Sequence, residues 1–360
     1  MSPIKKLVKG LSGIIVLCAI LFAMRYQLEN QQGLSGDKVV NLYNWGDYID
    51  PTVLEDFEQE TGYHVVQETF DSNEAMLAKI RQGGTPYDVT IPSEYTIERM
   101  KEDNMLLPLD YAQLPNLEHI DARFLDLPFD PQNRYSVPYF WGTLGVIYDT
   151  RQYDETMFES WDNLWQPELK NKVLIFDGAR EVLGIGLETL GYSLNETSEE
   201  ALDFAKIKLR RMMPNIRAIV ADEMKMYMVK EEAPIGITFS GEASQMLAGN
   251  PHLAYTIPKE GSNIWFDNIV IPKTSRNPVG AHALINFLLR PDIAARNAEY
   301  VGYATPNKDA YELLPEETVA DEAFYPSDEL MAKLEVYKNL GKAKTIAFND
   351  AFLELKIETK

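Results

Sequence analysis

Strands and helices alternate regularly along the first part of this 360-residue chain, and this alternation constrains its fold most strongly. KVVNLYN, YHVVQETF and YDVTIP have the apolar, β-branched composition of buried strands, and a helical segment follows each of them. Gly62 and Gly83 close the first two helices, as glycine commonly does. The β-α-β-α-β-α order predicts a parallel sheet with right-handed crossovers.

The same pattern returns after an irregular, Pro- and Asp-rich segment at 107–138. KVLIFDGAREVLGIGLETLGYS and APIGITFSGEASQMLAGN each read as a strand that feeds a helix, and NIWFDNIVIP reads as a further strand. The sequence therefore predicts two α/β lobes, each a mostly parallel sheet flanked by helices, with chain crossings near 140–143 and 265–270. The predicted lobes comprise residues 38–141 with about 268–311, and about 142–267 with 312–360.

The N-terminal segment has the layout of an export signal, because three lysines precede an apolar stretch from Leu11 to Met24. This stretch of about 14 residues is shorter than the ~20 that cross a bilayer comfortably. Residues 1–25 are interpreted as a signal peptide or a membrane signal-anchor, and the polar residues 26–37 as a linker. Leu17 stands before Cys18 where lipoprotein processing requires a small residue, which argues against lipidation. The folded part is expected outside the cytoplasm.

Composition and missing motifs exclude several classes of protein. The net charge of -21 argues against a nucleic-acid partner and gives a small preference for a cationic ligand. Cys18 is the single cysteine, so the folded part has neither a disulfide framework nor a cysteine nucleophile. The chain contains no Gly-x-Ser-x-Gly, no His-Glu-x-x-His and no phosphate loop, and its four histidines are scattered. We expect no enzyme activity, no cofactor and no metal site.

Aromatic and acidic residues collect at the predicted carboxyl ends of strands, which is where open α/β sheets bind ligands. In NIWFDNIVIP, the two-residue period of a strand places Trp265 and Asp267 on one face. Aromatic rings attract an organic ammonium by about 0.5–2 kcal/mol each, and a carboxylate supplies the charge pairing that a buried ammonium needs. Other residues at strand ends are Trp45, Asp47, Tyr48, Ser93, Glu94, Tyr95, Asp177, Glu181, Ser240 and Glu242.

Each of these residues also has a simpler explanation when it is taken alone. Ser93 and Asp177 suit helix N-caps, and Glu181 and Glu242 suit the positive end of a helix dipole. A single tryptophan such as Trp265 is more often a core residue than a ligand contact. Their coincidence at several strand ends favours a binding site.

NLYNWGDYIDP, residues 41–51, closely resembles the opening motif of the spermidine/putrescine-binding proteins, the substrate-binding components of polyamine ABC importers. YDVTIPSEYTIERM, SVPYFWGTLGVIY, LIFDGAREVLG, NIWFDNIVIP, GAHALINFLLRPD and VGYATPN also match, in order. The resemblance covers about residue 38 to the end. It implies the two-lobed periplasmic-binding-protein fold (type II), with a hinge that closes over an extended polyamine.

The resemblance also implies the ligand contacts. Gly178 stands where some members have an Asp, and Glu242 is placed to restore that charge. Lys338 stands roughly where some members have a Gln that contacts the ligand. The implied ligand-binding residues are Trp45, Asp47, Tyr48, Ser93, Tyr95, Glu181, Phe239, Glu242, Trp265, Asp267 and Tyr303.

The function implied is binding of spermidine, putrescine or both by a monomer that delivers them to an ABC permease, with the cytoplasmic ATPase as an indirect partner. Three alternatives remain open from the sequence. They are a receptor for another small cation, a ligand-sensing module for a membrane partner, and an extracytoplasmic hydrolase with Glu181 and Asp267 as an acid pair.

Overall fold

A computed structural model of the chain shows an α/β fold in which nine strands are described. The predicted signal or anchor at 1–25 and the linker at 26–37 fall mostly outside the described residues. Within the part of the chain that is described, no helix combines the length and apolar character needed to cross a membrane. The described residues are Leu11, 14–20, Met24, 36–221 and 223–358.

The strands and helices follow the order expected from the regular parts of the sequence. The strands are β1 (Val39–Trp45), β2 (His64–Phe70), β3 (Val89–Thr90), β4 (Ser136–Asp149), β5 (Val173–Phe176), β6 (Ile216–Val220), β7 (Ile235–Phe239), β8 (Leu253–Thr256) and β9 (Ile264–Val270). The longer helices are α1 (Pro51–Thr61), α2 (Asn73–Gln82), α3 (Glu94–Glu102), α4 (Ala179–Glu188), α5 (Glu199–Met212), α6 (Glu223–Val229), α7 (Ser240–Gly249), α8 (Pro278–Leu288) and α9 (Pro291–Val301). Toward the end lie α10 (Lys308–Tyr311), α11 (Glu316–Val319), α12 (Asp328–Met331) and α13 (Gly341–Glu358).

Local sequence explains the boundaries of α1. The Asp50 side chain accepts a hydrogen bond from the Thr52 N–H, and Pro51 takes the first helical position, where its missing N–H costs nothing. Gly62 ends the helix with a left-handed φ of 70°, which confirms the predicted stop. The irregular segment before β4 consists of short 3-10 turns, so no long element was overlooked there.

The sheet runs in the order β2-β1-β3-β9-β4-β7-β5-β6, and β8 pairs with β4 off this path. Parallel pairing is confined to β1 with β2 and β3, and to β5 with β6 and β7. β4, β8 and β9 pair antiparallel, so both halves of the sheet are mixed. The regular strand-helix alternation thus predicts the parallel pairs, while the strands outside it run the other way.

β4 is a 14-residue strand that belongs to both halves of the sheet. Ser136 to Thr143 pair with β9, whereas Leu144 to Tyr148 pair with β7. A hydrophobic core that includes Leu42, Phe57 and Ile91 packs on the first half, which we call the first lobe. Separate clusters pack on the second half, which we call the second lobe. The lobe limits inferred from the sequence stay a prediction.

Candidate ligand-binding cleft

A cleft of about 770 Å³ opens at the carboxyl ends of β1, β5 and β7, with residues of both lobes in its walls. In open α/β sheets, ligands bind at such ends because several loops converge there. The structure brings every expected contact residue into this cleft, and their role in ligand binding stays a prediction. These residues are Trp45, Asp47, Tyr48, Ser93, Tyr95, Glu181, Phe239, Glu242, Trp265, Asp267 and Tyr303.

Asp267 is a buried carboxylate on β9, only 6% exposed, and both of its oxygens are hydrogen-bonded. The Tyr48 hydroxyl donates to Oδ2 at 2.7 Å, and the Ser93 hydroxyl donates to Oδ1 at 2.6 Å. Burial raises the pKa of Asp267 to about 6, and the two hydrogen bonds act in the opposite direction. Because hydroxyls orient a carboxylate without cancelling its charge, this group can still pair with a cation.

The alternation along β9 separates cleft residues from core residues. Trp265 and Asp267 line the cleft, whereas Ile264 and Phe266 belong to the core of the first lobe. This arrangement confirms the face that the two-residue period predicted.

Five aromatic rings form a row of edge-to-face contacts along the cleft, with angles between ring planes of 68–88°. Phe239 lies between Phe176 and Trp265, with ring centroids 5.0 and 6.1 Å away. Tyr303 lies between Trp265 and Tyr48, with ring centroids 5.1 and 5.3 Å away. Edge-to-face packing holds each ring in a fixed orientation. The row therefore gives the cleft a rigid aromatic lining of the kind that attracts organic cations.

Two glycines make room for these rings. A Cβ atom at Gly142 would lie 2.6 Å from the indole ring of Trp265. A Cβ atom at Gly241 would lie 1.6 Å from the phenol ring of Tyr303. Any other residue would displace the rings, so the close approach requires glycine at both positions.

Glu181, in the first turn of α4, folds back over Gly178. A Cβ atom at Gly178 would lie 1.9 Å from Oε2 of Glu181, so this carboxylate fills the space of the absent side chain. Burial raises the pKa of Glu181. Arg180 turns instead onto Tyr337, 4.2 Å from its ring centroid. Lys338 is exposed and lies outside the lining of the cleft, so its charge does not face a bound cation there.

The turn after β1 divides its side chains between the cleft wall and solvent. Tyr48 is buried, and Trp45 is half-buried with its indole N–H donating to the Ile91 carbonyl at 2.9 Å. Asp47 lies at the exposed rim of the cleft and has a backbone φ of 50°. This left-handed conformation is tolerated by Asp and Asn better than by most residues, which explains the residue type at this position.

Asn73 is a lining residue that the strand-end analysis missed. Its Nδ2 donates to the Ser93 hydroxyl at 3.0 Å and to the Tyr95 hydroxyl at 2.9 Å. Because Ser93 accepts from Asn73, its own hydroxyl hydrogen is directed to Asp267. Asn73 follows the end of β2, and examining that strand end as well would have identified it.

Glu94 is not among the ligand contacts expected from the sequence, yet it lines the cleft and is fully buried. Its Oε2 accepts the Phe266 N–H at 3.0 Å, while Oε1 has no hydrogen-bond partner within the described residues. Burial raises the pKa of Glu94 to about 8, so this side chain is largely protonated at neutral pH.

Glu242, in the first turn of α7, is already paired within the cleft. Its Oε2 lies 2.9 Å from Nζ of Lys225 on α6, and its Oε1 accepts from the Tyr303 hydroxyl at 3.4 Å. The positive charge of Lys225 therefore offsets the negative charge that Glu242 was expected to supply to the cleft. No strand-end signal pointed to Lys225, because neither β6 nor α6 was predicted.

The lining of the cleft is strongly acidic. Among the described residues it contains eight carboxylic side chains and one basic side chain, Lys225. This excess suits a cation and disfavours an anion or a neutral sugar. In the described ranges, no group of three or more His, Cys, Asp or Glu residues is placed to hold a metal ion.

Comparison with known proteins gives consistent matches over nearly the whole chain. Residues 52–342 match the family of bacterial extracellular solute-binding proteins. The spermidine/putrescine-binding periplasmic protein of Salmonella typhimurium is 37% identical over 324 residues, which cover 89% of this chain and 92% of that protein.

Two solved structures share the fold at higher sequence identity. A putative spermidine/putrescine ABC transporter protein from Listeria monocytogenes is 55% identical, with a TM-score of 0.84 over 89% of this chain and 99% of that one. The spermidine/putrescine ABC transporter substrate-binding protein of Streptococcus pneumoniae, solved with calcium and HEPES, is also 55% identical. Its TM-score is 0.84 over 90% of this chain and 100% of that one.

Proposed function

This chain belongs to the bacterial extracellular solute-binding proteins, and we propose that it binds spermidine or putrescine and delivers it to an ABC permease for import. The ligand lies in the cleft between the two lobes, with its ammonium groups against carboxylates and its methylene chain against aromatic rings. No chemical step is part of this function. The protein returns the ligand unchanged.

The observation that carries the proposal is the environment of Asp267. Its carboxylate is buried, is held by the hydroxyls of Tyr48 and Ser93, and lies on the same strand face as Trp265. A buried anion oriented by neutral donors is costly unless a cation joins it. An ammonium group bonded to Asp267 and flanked by aromatic faces satisfies both the charge and the geometry of this site.

The second lobe supports the same ligand class through Glu181. This carboxylate lines the cleft from the second lobe, and burial raises its pKa as it does that of Asp267. Two ammonium groups of one polyamine can then pair with carboxylates from different lobes. Such a ligand joins the lobes and shifts the population toward the closed form, which the permease recognises.

The remaining parts of the proposal concern location and partners. The relatives are periplasmic proteins, and we place the folded part of this chain outside the cytoplasm, held or exported by the N-terminal segment. It works as a monomer that contacts the permease subunits, and the cytoplasmic ATPase acts on it only through them.

Titration calorimetry of the purified folded part with putrescine, spermidine, spermine and a neutral sugar tests the proposal. We expect one polyamine per chain to bind with at least micromolar affinity, about -8 kcal/mol or stronger, and no heat from the sugar. Chromatography of the mixture after incubation should recover the polyamine intact. Absence of polyamine binding, or conversion of the ligand to a product, would overturn the proposal.

A further inference from the structure

Lys225 places an ammonium group of the protein itself inside the cleft. Its Nζ lies 2.9 Å from Oε2 of Glu242 and also donates to Oε1 of Gln245 at 2.9 Å. The Lys225 side chain is 30% exposed and the Glu242 side chain 22% exposed, so the pair is partly shielded from solvent. Pairs of this kind are screened less by salt than fully exposed ones.

The pair contacts the same aromatic row as Asp267 does, one ring further along it. Tyr48 donates to Asp267, its ring contacts Tyr303, and the Tyr303 hydroxyl donates to Glu242. Glu242 is therefore placed as a further partner for an extended ligand that already contacts Asp267. The carboxylate at that position, however, is occupied by Lys225.

We propose that Lys225 is a built-in ammonium that occupies Glu242 and so sets the length of the cation that the cleft accepts. The inference rests on the proposed polyamine binding and identifies its specificity-determining residue. A ligand ammonium that reaches Glu242 must displace Nζ or lie beside a like charge, and both cost free energy. A shorter cation that ends near Asp267 and Glu181 does not meet this cost.

A contact on the other side of the pair connects it to the first lobe. Gln245, which accepts from Lys225, donates its Nε2 to the Val301 carbonyl of the first lobe at 3.1 Å. Lys225 is thus fixed where the two lobes meet, and this restricts its freedom to swing out of the cleft. A long side chain that is held by two acceptors excludes a ligand more effectively than a freely rotating one.

The test compares the Kd values for spermidine and putrescine in the unaltered protein and in Lys225→Met. We expect the ratio of the two Kd values to shift toward spermidine by about tenfold or more, because the released carboxylate of Glu242 gains the third ammonium. The double variant Lys225→Met with Glu242→Gln removes both charges and should return the ratio to within about threefold of the unaltered value. Lys225→Gln provides a second neutral variant in case the Met variant fails to fold.

Lys206→Met is the matched control. Lys206 pairs with Glu354 at 2.8 Å, and neither residue lines the cleft. The control changes the net charge equally and should leave the ratio unchanged. An unchanged ratio in the neutral Lys225 variants, or an equal shift in the control, would overturn the inference alone. Failure of the unaltered protein to bind either polyamine would overturn the proposed function as well.

Discussion

Asp267 and Glu242 line the same cleft, but the protein gives them opposite kinds of partner. Asp267 accepts from two neutral hydroxyls, those of Tyr48 and Ser93. Glu242 pairs with the ammonium of Lys225. Neutral donors orient a carboxylate and leave its charge available, whereas an ammonium orients it and cancels the charge. The cleft therefore has one carboxylate, Asp267, that is prepared for an external cation, and another, Glu242, that already holds a cation.

The difference shows that a count of acidic residues overstates the negative charge that a ligand meets in the cleft. Eight carboxylic side chains line the cleft, but Glu94 is largely protonated at neutral pH, Glu242 is paired with Lys225, and Asp177 is paired with Lys356. The negative charge available to a ligand depends on which of these carboxylates lack a cationic partner. The following changes test that distinction, from the largest expected effect to the smallest.

Asp267→Asn removes the charge of the carboxylate that is prepared for an external cation, while keeping the size of the side chain. We expect the Kd for spermidine to rise by about 30-fold or more, about 2 kcal/mol, because a desolvated ammonium loses its partner. Calorimetry measures the change, and an unaltered thermal unfolding profile shows that the fold is intact. Unchanged affinity would show that Asp267 does not face the ligand.

Lowering the pH should weaken binding through the same residue. The pKa of Asp267 is about 6, above its ordinary value, because of burial. Below that pH the carboxyl binds a proton that an arriving ammonium must displace, so affinity falls by about tenfold per pH unit there. We expect calorimetry to show this loss between pH 7 and pH 5 in the unaltered protein. A loss of the same size in Asp267→Asn would assign the pH effect to another group.

Glu94→Gln tests a third kind of lining acid, a buried one whose carboxyl group accepts from neither a hydroxyl nor an ammonium. Burial raises the pKa of Glu94 from 4.5 to about 8, so the folded protein keeps a proton that the unfolded chain releases. Its contribution to folding stability is full below 4.5 and is lost as the pH rises toward 8. The melting temperature of the variant should therefore fall less between pH 5 and pH 9 than that of the unaltered protein. Glu74→Gln, an exposed acid in the same cleft, should keep the original slope.

Asp47→Asn should have the smallest effect. Asp47 is exposed at the rim, and asparagine tolerates the same left-handed backbone with φ of 50°. Screening by solvent limits its attraction for a bound ammonium, so we expect the Kd for spermidine to change by less than about threefold. A loss of affinity as large as that in Asp267→Asn would remove the proposed difference between the exposed rim and the buried Asp267.

Many of the side chains that line the cleft can be predicted from the sequence, because the sequence shows where strands end. The ends of β1, β5 and β7 carry Tyr48, Glu181 and Glu242, and the period of β9 places Trp265 beside Asp267. These are local rules, and they depend only on neighbouring residues. They predict which side chains face the cleft.

The partners of those side chains depend on contacts between distant parts of the chain. Asp267 meets Tyr48 across 219 positions and Ser93 across 174, and no local pattern relates them. Lys225 was missed because β6 and α6 lie in a stretch without a clear strand-helix signal. The long β4 was missed as a single element because its halves pair with different neighbours.

The shared strand β4 also limits how this protein can be re-engineered. A break or insertion within Ser136–Asp149 would interrupt the segment that both lobes use to complete their sheets. A circular permutant or a split reporter built on this chain therefore needs its new ends elsewhere. The exposed turn at Gly191, where a Cβ atom would contact nothing within 4 Å, leaves every strand uninterrupted.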